Sequence, residues 1–217
     1  MGRVVLDISM SLDGFIAGPN PSLEQPLGAG GDRLHEWILG LASFRERHGG
    51  SGGVRDRDDE VVAESLAATG AVVMGRRMFS GGEGAWDGDP NADGWWGDTP
   101  PFHAPVFVLT HHVRQPVAKQ GGTTFTFVTD GVEAALEQAR AAAGAKDVLV
   151  AGGANVAQQV LSAGLLDEMQ IHLVSVLLGD GTRLLEHLER TTVQLESTRV
   201  IESPAVTHLQ YRVVGQG

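Results

Sequence analysis

Four short apolar runs, separated by segments long enough for helices, constrain the fold of this chain of 217 residues more than any other feature. The runs are Val4–Ile8, Ala71–Met74, Val106–Leu109 and Val148–Ala151. Gly, Pro or Asp residues bound each run, which is typical of buried strands in a largely parallel sheet. The alternation of such strands with helical segments predicts a mixed sheet that is flanked by helices.

Apolar residues at helical spacing predict three helices between and after these runs. They cover Asp58–Thr69, Gly131–Ala143 and a segment around Val156–Leu161 that Gly164 ends. After Asp167 the pattern changes, because apolar and polar residues alternate over 169–173 and again over 209–213. This alternation predicts antiparallel strands with one covered face late in the chain.

Composition excludes several classes of function. The chain has no cysteine, so disulfides, thiolate catalysis and cysteine-ligated zinc are excluded, and we predict no metal site. A net charge of −11 argues against a nucleic-acid partner, which would need clustered Lys and Arg. No apolar stretch approaches the roughly 20 residues that span a bilayer. An acid, Asp7, interrupts the first apolar run, which makes a poor signal peptide. We therefore expect a cytoplasmic protein with a single domain over residues 1–217.

The stretch Ser80–Ala104 is rich in Gly, Pro and Asp, and it is predicted to be a long loop. It nevertheless contains four large aromatic residues, Trp86, Trp95, Trp96 and Phe102. Long loops in compact domains are more often functional than idle. Two interpretations remain open: the rings wall a substrate pocket, or they anchor the loop through a small hydrophobic cluster of its own.

Three predicted strands end in residues that could bind an anion. These ends are Gly75–Arg77, Thr110–Arg114 and Gly152–Val156. In open α/β sheets, ligands bind at the carboxyl ends of the strands. Glycine amides, helix N-termini and arginine side chains are suited to phosphate. Arginine at the start of a helix opposes the helix dipole, so the sequence supplies no structural reason for the arginine pair. The alternatives are a tight turn at the glycines and solvated surface side chains elsewhere.

Taken in order, these segments resemble the dihydrofolate reductase-like superfamily. The opening Ile8–Ala17, with its Asp13-Gly14 pair, is similar to the branch that contains the reductase of riboflavin biosynthesis, the RibD C-terminal domain. Trp96–Pro101 and Leu165–Glu168 look like segments of the same branch. The resemblance implies an α/β fold with a central mixed, mostly parallel sheet of about eight strands, flanked by helices and completed by C-terminal antiparallel strands.

The same resemblance implies that NADPH binds across the sheet edge. The residues that would contact NADPH are Ser9, Ile16, Gly75, Arg76, Arg77, Thr110, His111, Arg114, Gly152, Gly153, Ala154, Asn155 and Val156. Arginine and neutral donors, without an acid among them, suit the 2′-phosphate of NADPH better than the bare hydroxyl of NADH.

The implied activity is hydride transfer to a small heterocyclic or sugar-amine substrate, similar to that of 5-amino-6-(5-phosphoribosylamino)uracil reductase. The predicted substrate contacts are Asp13, Trp95, Trp96 and Phe102, and the predicted proton donor is Asp32. Two alternatives remain: a pterin reductase of the dihydrofolate reductase type, and a non-catalytic NADP-binding sensor. The resemblance also implies a homodimer.

Overall fold

A large sheet forms the centre of the computed structural model, which describes residues 2–82, 84–186, 188 and 192–216. Within these residues the sheet has nine strands, in the order β10-β11-β8-β1-β7-β3-β4-β6-β5. Their bounds are β1 Val4–Ser11, β3 Thr69–Gly75, β4 Pro105–Leu109, β5 Val117–Ala118, β6 Thr124–Val128, β7 Asp147–Gly152, β8 Glu168–Val174, β10 Val193–Glu202 and β11 Val206–Gln216. Two short strands, β2 (Phe15–Ala17) and β9 (Thr182–Arg183), pair separately.

The six central strands, from β8 to β6 in that order, run parallel to their neighbours. At the two sides of the sheet the pairs are antiparallel. Among the described residues these pairs are β10 with β11, β11 with β8, and β5 with β6. The fold class predicted from the sequence is therefore confirmed, with nine strands in the main sheet instead of about eight. Because the six parallel strands point the same way, their carboxyl ends lie along one edge.

Helices cover both faces of the sheet. Their bounds are α1 Ala42–Arg47, α2 Arg57–Ala68, α3 Arg76–Ser80, α4 Val132–Ala143 and α5 Ala154–Ser162, with short 3-10 helices at Gly31–Leu34 and Gln120–Gly122. Helices α4 and α5 pack on one face, against a core that includes Val4, Val73 and Val148. Helix α2 and the residues around Trp37 cover part of the other face. The helices α2 and α4 agree with the sequence prediction to within a residue at each end.

The strand β8 corrects one prediction. We expected the alternating segment 169–173 to be an antiparallel strand with one covered face. Strand β8 does pair antiparallel with β11, but it pairs parallel with β1 along seven residues. Its polar side is covered too, because His172 is buried. The polar residues of β8 bind to partners on neighbouring strands instead of facing water: Gln170 and His172 both contact Asp7 of β1, and His172 also contacts His208 of β11.

The long loop between α3 and β4 packs on the same face as α2. Its Trp86, Trp96 and Phe102 contact a core of Phe79, Phe125 and neighbouring strand residues. No helix among the described residues is both long and apolar enough to cross a bilayer.

Candidate active site

The three strand ends that the sequence singled out lie side by side. Strand β3 lies between β7 and β4, and the register pairs Met74 with Gly152 and Gly75 with Leu109. A side chain on Gly75 would come within 3.1 Å of Val156 in α5, so the turns after β3 and β7 are in close contact. We call this edge, formed by the residues that follow β7, β3 and β4, the rim.

The turn from β7 into α5 presents bare backbone at the rim. Gly152 has a φ of +121°, which L-residues with side chains rarely adopt. A Cβ on Gly153 would meet no atom within 4 Å, so the space above it is open. Gly153 is the N-cap of α5, and no side chain among the described residues caps the helix there. The N-terminal amides of this helix are therefore suited to an anion in that space.

Arg76 is bound into the fold. Its guanidinium pairs with Asp89 and contacts the Ser80 hydroxyl, and its Cζ lies 3.6 Å from the centre of the Trp86 ring. Both members of the ion pair are almost fully buried. The expectation that the arginine pair lacks a structural reason is therefore wrong for Arg76, since the charge that opposes the dipole of α3 is matched by a carboxylate thirteen residues later.

The neighbouring rim residues differ in exposure. Arg77 and His111 are exposed, whereas Thr110 is buried. The Thr110 hydroxyl accepts a hydrogen bond from the amide of His112 at 3.1 Å, which fixes the turn after β4. Arg77 and His111 are thus side chains that solvent and a ligand can reach.

A cavity of about 640 Å³ adjoins the rim at the end of β4. Trp86, His111 and Arg114 are among the residues that line it. The Arg114 guanidinium pairs with Asp93 and lies 4.8 Å from the Trp86 ring centre. The cavity is wide open to solvent, and its cationic and imidazole groups suit a phosphorylated ligand.

The end of β1 forms the other side of the site. Among the described residues, β1 and β7 pair as far as Leu6 and Val150, and β1 then continues to Ser11 without pairing with β7. Ser9 is buried, and its hydroxyl accepts a hydrogen bond from the indole N–H of Trp37 at 3.1 Å. Ile16, on β2, is also buried and joins the core below α5. A crevice between the ends of β1 and β7 is the position in which ligands bind to such sheets.

Asp13 holds two loops together. Its Oδ1 accepts hydrogen bonds from the Ser11 hydroxyl at 2.6 Å and from the Leu178 amide at 3.1 Å, and its Oδ2 accepts one from the Gly179 amide at 2.7 Å. The hydrogen bond from Ser11 is the main cause that lowers the pKa of Asp13 to about 2; desolvation opposes it, and the hydrogen bonds from the two amides lower the pKa further. The carboxylate therefore fixes the turn after β1, whatever contact it makes with a substrate.

The predicted proton donor Asp32 lies exposed in the first 3-10 helix. Three residues later, His35 turns inward. Burial is the main cause that lowers the pKa of His35, with His172 acting in the same direction. Its Nδ1 is buried and has no hydrogen-bond partner among the described residues.

The predicted aromatic wall is tied to α3. The indole N–H groups of Trp95 and Trp96 both point to the carbonyl oxygen of Met78, at 2.8 and 3.1 Å. The rings of Trp96 and Phe102 are 4.8 Å apart, and Phe102 also contacts Phe125. These contacts supply the anchoring role that the sequence left open, and a role in substrate binding stays a prediction.

Comparison with known families decides what this arrangement belongs to. The sequence model of the family described as RibD C-terminal domain matches residues 3–209. This chain is a member of that family. A search of curated protein sequences found no significant match.

Solved structures with this RibD-type fold cover the whole chain. A protein from Shewanella sp. PV-4 that is assigned to riboflavin biosynthesis is 21% identical over 98% of this chain and 99% of its own, with a TM-score of 0.62. The riboflavin biosynthesis reductase Rib7 of Saccharomyces cerevisiae is 14% identical over 99% and 89% of the two chains, with a TM-score of 0.54.

A two-activity relative from Thermotoga maritima, a diaminohydroxyphosphoribosylaminopyrimidine deaminase and 5-amino-6-(5-phosphoribosylamino)uracil reductase, is 16% identical, with a TM-score of 0.56. The two structures match over 98% of this chain but over only 57% of the Thermotoga protein. At these identities the likeness shows the shared fold.

Sequence reasoning missed one polar cluster in this RibD-type domain. Asp7, His172, His208 and Asp58 form a continuous chain of hydrogen bonds beneath α2. Burial raises the pKa of Asp7, but His172 and the Ser65 hydroxyl outweigh that effect, so its pKa lies below the ordinary value. The available signal was Asp7 itself, an acid inside an otherwise apolar strand.

Proposed function

We propose that this chain is an NADPH-dependent reductase that transfers hydride to a small heterocyclic or sugar-amine substrate, of the kind that 5-amino-6-(5-phosphoribosylamino)uracil reductases use. The observation that carries the proposal is the rim: open glycine backbone, an exposed arginine and an aromatic cavity meet at the carboxyl ends of three adjacent parallel strands. Membership of the RibD C-terminal domain family and the reductase names of the similar structures support it.

The residues of the rim fit a phosphorylated dinucleotide. The backbone of Gly152 through Val156 would hold the pyrophosphate, because the N-terminus of α5 has no side-chain cap and the space above Gly153 is open. Arg77 and His111 would bind the 2′-phosphate, with Thr110 fixing the turn and Arg114 closing the cavity beside Trp86. Arg76 would act indirectly, by holding the start of α3 in place.

Bound NADPH would supply the hydride, and this chain would supply orientation and a site from which water is excluded. Ser9, held by Trp37, and Ile16 would lie beside the nicotinamide at the end of β1. Asp13 would define the adjacent loop, and Trp95, Trp96 and Phe102 would limit the substrate space. Asp32, which is exposed, would donate the proton that completes the reduction.

Coenzyme discrimination tests the role of the rim. Arg77→Ala should raise the Kd for NADPH by about 10- to 150-fold, because a hydrogen bond to a charged group is worth about 1.5–3 kcal/mol. The Kd for NADH should change much less, since NADH has no 2′-phosphate. Arg57→Ala, which removes an exposed arginine at the start of α2, is the matched control. Equal losses for NADPH and NADH in Arg77→Ala would contradict the assignment.

Turnover separates the reductase from its alternatives. NADPH oxidation, followed at the nicotinamide absorbance, should be fastest with 5-amino-6-(5-phosphoribosylamino)uracil and slow with dihydrofolate. Asp32→Asn should lower kcat and leave the Kd for NADPH unchanged. Tight NADPH binding without turnover on any member of a broad substrate panel would instead favour the non-catalytic sensor.

A further inference from the structure

Two buried histidines face each other across neighbouring strands on the side of the sheet that α2 covers. His172 on β8 and His208 on β11 are directly paired in the register, and both are about 95% buried. Their Nδ1 atoms are 2.6 Å apart. The outer nitrogen of each ring meets a carboxylate: His172 Nε2 lies 2.7 Å from Asp7 Oδ1, and His208 Nε2 lies 3.1 Å from Asp58 Oδ1.

Both carboxylates are held as acceptors. The second oxygen of Asp7 accepts hydrogen bonds from the hydroxyl of Ser65 and the amide of Gln170. The second oxygen of Asp58 lies 3.0 Å from the Ser203 hydroxyl, whose proton it shares with the carbonyl oxygen of Val206 at 2.9 Å. An ionised carboxylate has no proton to donate, so the ring nitrogen that faces it has to carry one.

Counting protons then fixes the charge of the histidine pair. The two contacts with carboxylates use one proton each, and the Nδ1–Nδ1 contact at 2.6 Å needs a third, because two nitrogen lone pairs repel at that distance. Two neutral imidazoles bring only two protons. We infer that His172 and His208 hold one additional proton between their Nδ1 atoms, and so form a buried proton-binding pair with a single positive charge.

The pair has room for one additional proton but not for two, because two N–H groups would face each other across the 2.6 Å between the Nδ1 atoms. Asp7 and Asp58 face the pair from β1 and α2, and they favour a positive charge between them. Burial, and next the proximity of His172, lower the pKa of His208, which disfavours a second proton. His35 approaches from the turn after the first 3-10 helix, and burial lowers its pKa too, so it adds no competing charge near neutral pH.

Several other ionisable groups on these elements are engaged elsewhere. Asp59 on α2 accepts a hydrogen bond from the Ser43 amide and lies near Arg55. Glu168 on β8 pairs with Arg3, and Arg212 on β11 pairs with Glu196. The four-residue chain from Asp7 to Asp58 is therefore a local unit, and it joins β1, β8, β11 and α2.

Trp37 links the pair to the proposed cofactor site. The Trp37 ring lies 4.8 Å from the His172 ring and 5.2 Å from the His208 ring, measured between centroids. The same indole donates a hydrogen bond to Ser9. Trp37 therefore contacts both the histidine pair and Ser9, so a change in the protonation of the pair should affect Trp37. The relevance of this contact to catalysis rests on the proposed function. The effect on Trp37 can be measured without NADPH.

NMR of the full chain with ¹⁵N-labelled histidine tests the shared proton directly. Near neutral pH, we expect the Nδ1 shifts of His172 and His208 to lie between those of protonated and bare nitrogens, with one exchange-protected proton coupled to the pair. His48→Gln, which changes an exposed histidine, should leave these signals in place. Two separate neutral rings, or two doubly protonated rings, at neutral pH would overturn the inference.

Equilibrium unfolding provides a second test. Free histidine titrates near about pH 6.5. Above that pH the native pair keeps a proton that the unfolded chain has lost, and below it the unfolded chain takes up a second proton that the native pair rejects. The contribution of the pair to stability should therefore be greatest at roughly pH 6.5. The equilibrium constant for unfolding should rise as pH moves away from this value in either direction, by up to about tenfold per pH unit. The double variant His172→Gln/His208→Gln should lack this component, and an unchanged pH profile in it would count against the shared proton.

The link to Ser9 has its own measurement. The indole N–H resonance of Trp37 should shift at the same pH values as the histidine pair in the protein without NADPH. A constant Trp37 resonance across these titrations would overturn the link. If instead the resonances behave as expected but NADPH does not bind, the proposed function fails and the proton-binding pair stands.

Discussion

Replacing Asp89 by alanine tests whether Arg76 stabilises the fold or instead serves the proposed phosphate site. The side chains of Arg76 and Asp89 are only 7% and 5% exposed. Breaking such a buried pair costs about 3–5 kcal/mol, because the remaining charge has no partner and little water. For a domain of this size each kcal/mol lowers Tm by about 2–4 °C, so we expect Asp89→Ala to lower Tm by roughly 6–20 °C.

The matched control is Asp93→Ala, which removes the partner of Arg114. That carboxylate is 77% exposed, and a pair of this kind contributes about 0–1 kcal/mol. Thermal unfolding followed by circular dichroism would compare the two variants under identical conditions. The double variant Arg76→Met/Asp89→Leu should recover most of the loss, since a packed apolar pair needs no counter-charge.

The acid limb of the stability profile gives an independent reading of the same pair. Burial raises the pKa of Asp89, but the hydrogen bond from Arg76 and that from the Asn91 amide outweigh it, so the pKa lies below its ordinary value. A carboxylate with a lowered pKa stabilises the native state above about pH 4, and this stabilisation is lost as the pH falls through the pKa of the carboxylate in the native state. Asp89→Ala should lack that loss. If Asp89→Ala melted within about 2 °C of Asp93→Ala, the structural role of Arg76 would be refuted.

Three further substitutions test the turns at the ends of β7 and β1. Gly152→Ala should lower the free energy of unfolding by about 1–3 kcal/mol in chemical denaturation, because φ is +121° there. Gly153→Ala should leave stability nearly unchanged yet weaken NADPH binding at the open rim, and equal stability losses in the two variants would contradict this. Asp13→Asn should remove the acid-sensitive contribution of the turn after β1, which is present above about pH 4 and lost as pH falls towards 2, and an unchanged acid-unfolding profile would argue against it.

The apolar runs predicted the centre of the sheet correctly for a physical reason. Residues 71–74, 106–109 and 148–151 are buried in parallel strands, and burial on both faces leaves continuous hydrophobic sequence. Strand ends could also be placed together, since parallel strands share an edge. Local pattern therefore located the rim, although the binding roles of its residues stay predictions.

Contacts between distant residues could not be predicted in this way. Nothing around Arg76 shows that Asp89 would reach it, because the loop that separates them has no periodicity. The polar positions of β8 looked solvated because a pattern records alternation but not the partners on β1, β11 and α2. The inward turn of His35 and the outward position of Asp32 depend on how the first 3-10 helix packs, and sequence spacing does not determine that.

The position of Trp86 has a practical consequence. Its indole lies against Arg76 from the end of β3 and Arg114 from the end of β4, and its N–H donates to the carbonyl oxygen of His112. One fluorophore is thereby in contact with two cations and with the turn that a phosphate would reach. Indole emission is sensitive to nearby charge, so Trp86 can report on events at the rim, and titrations there need no attached dye.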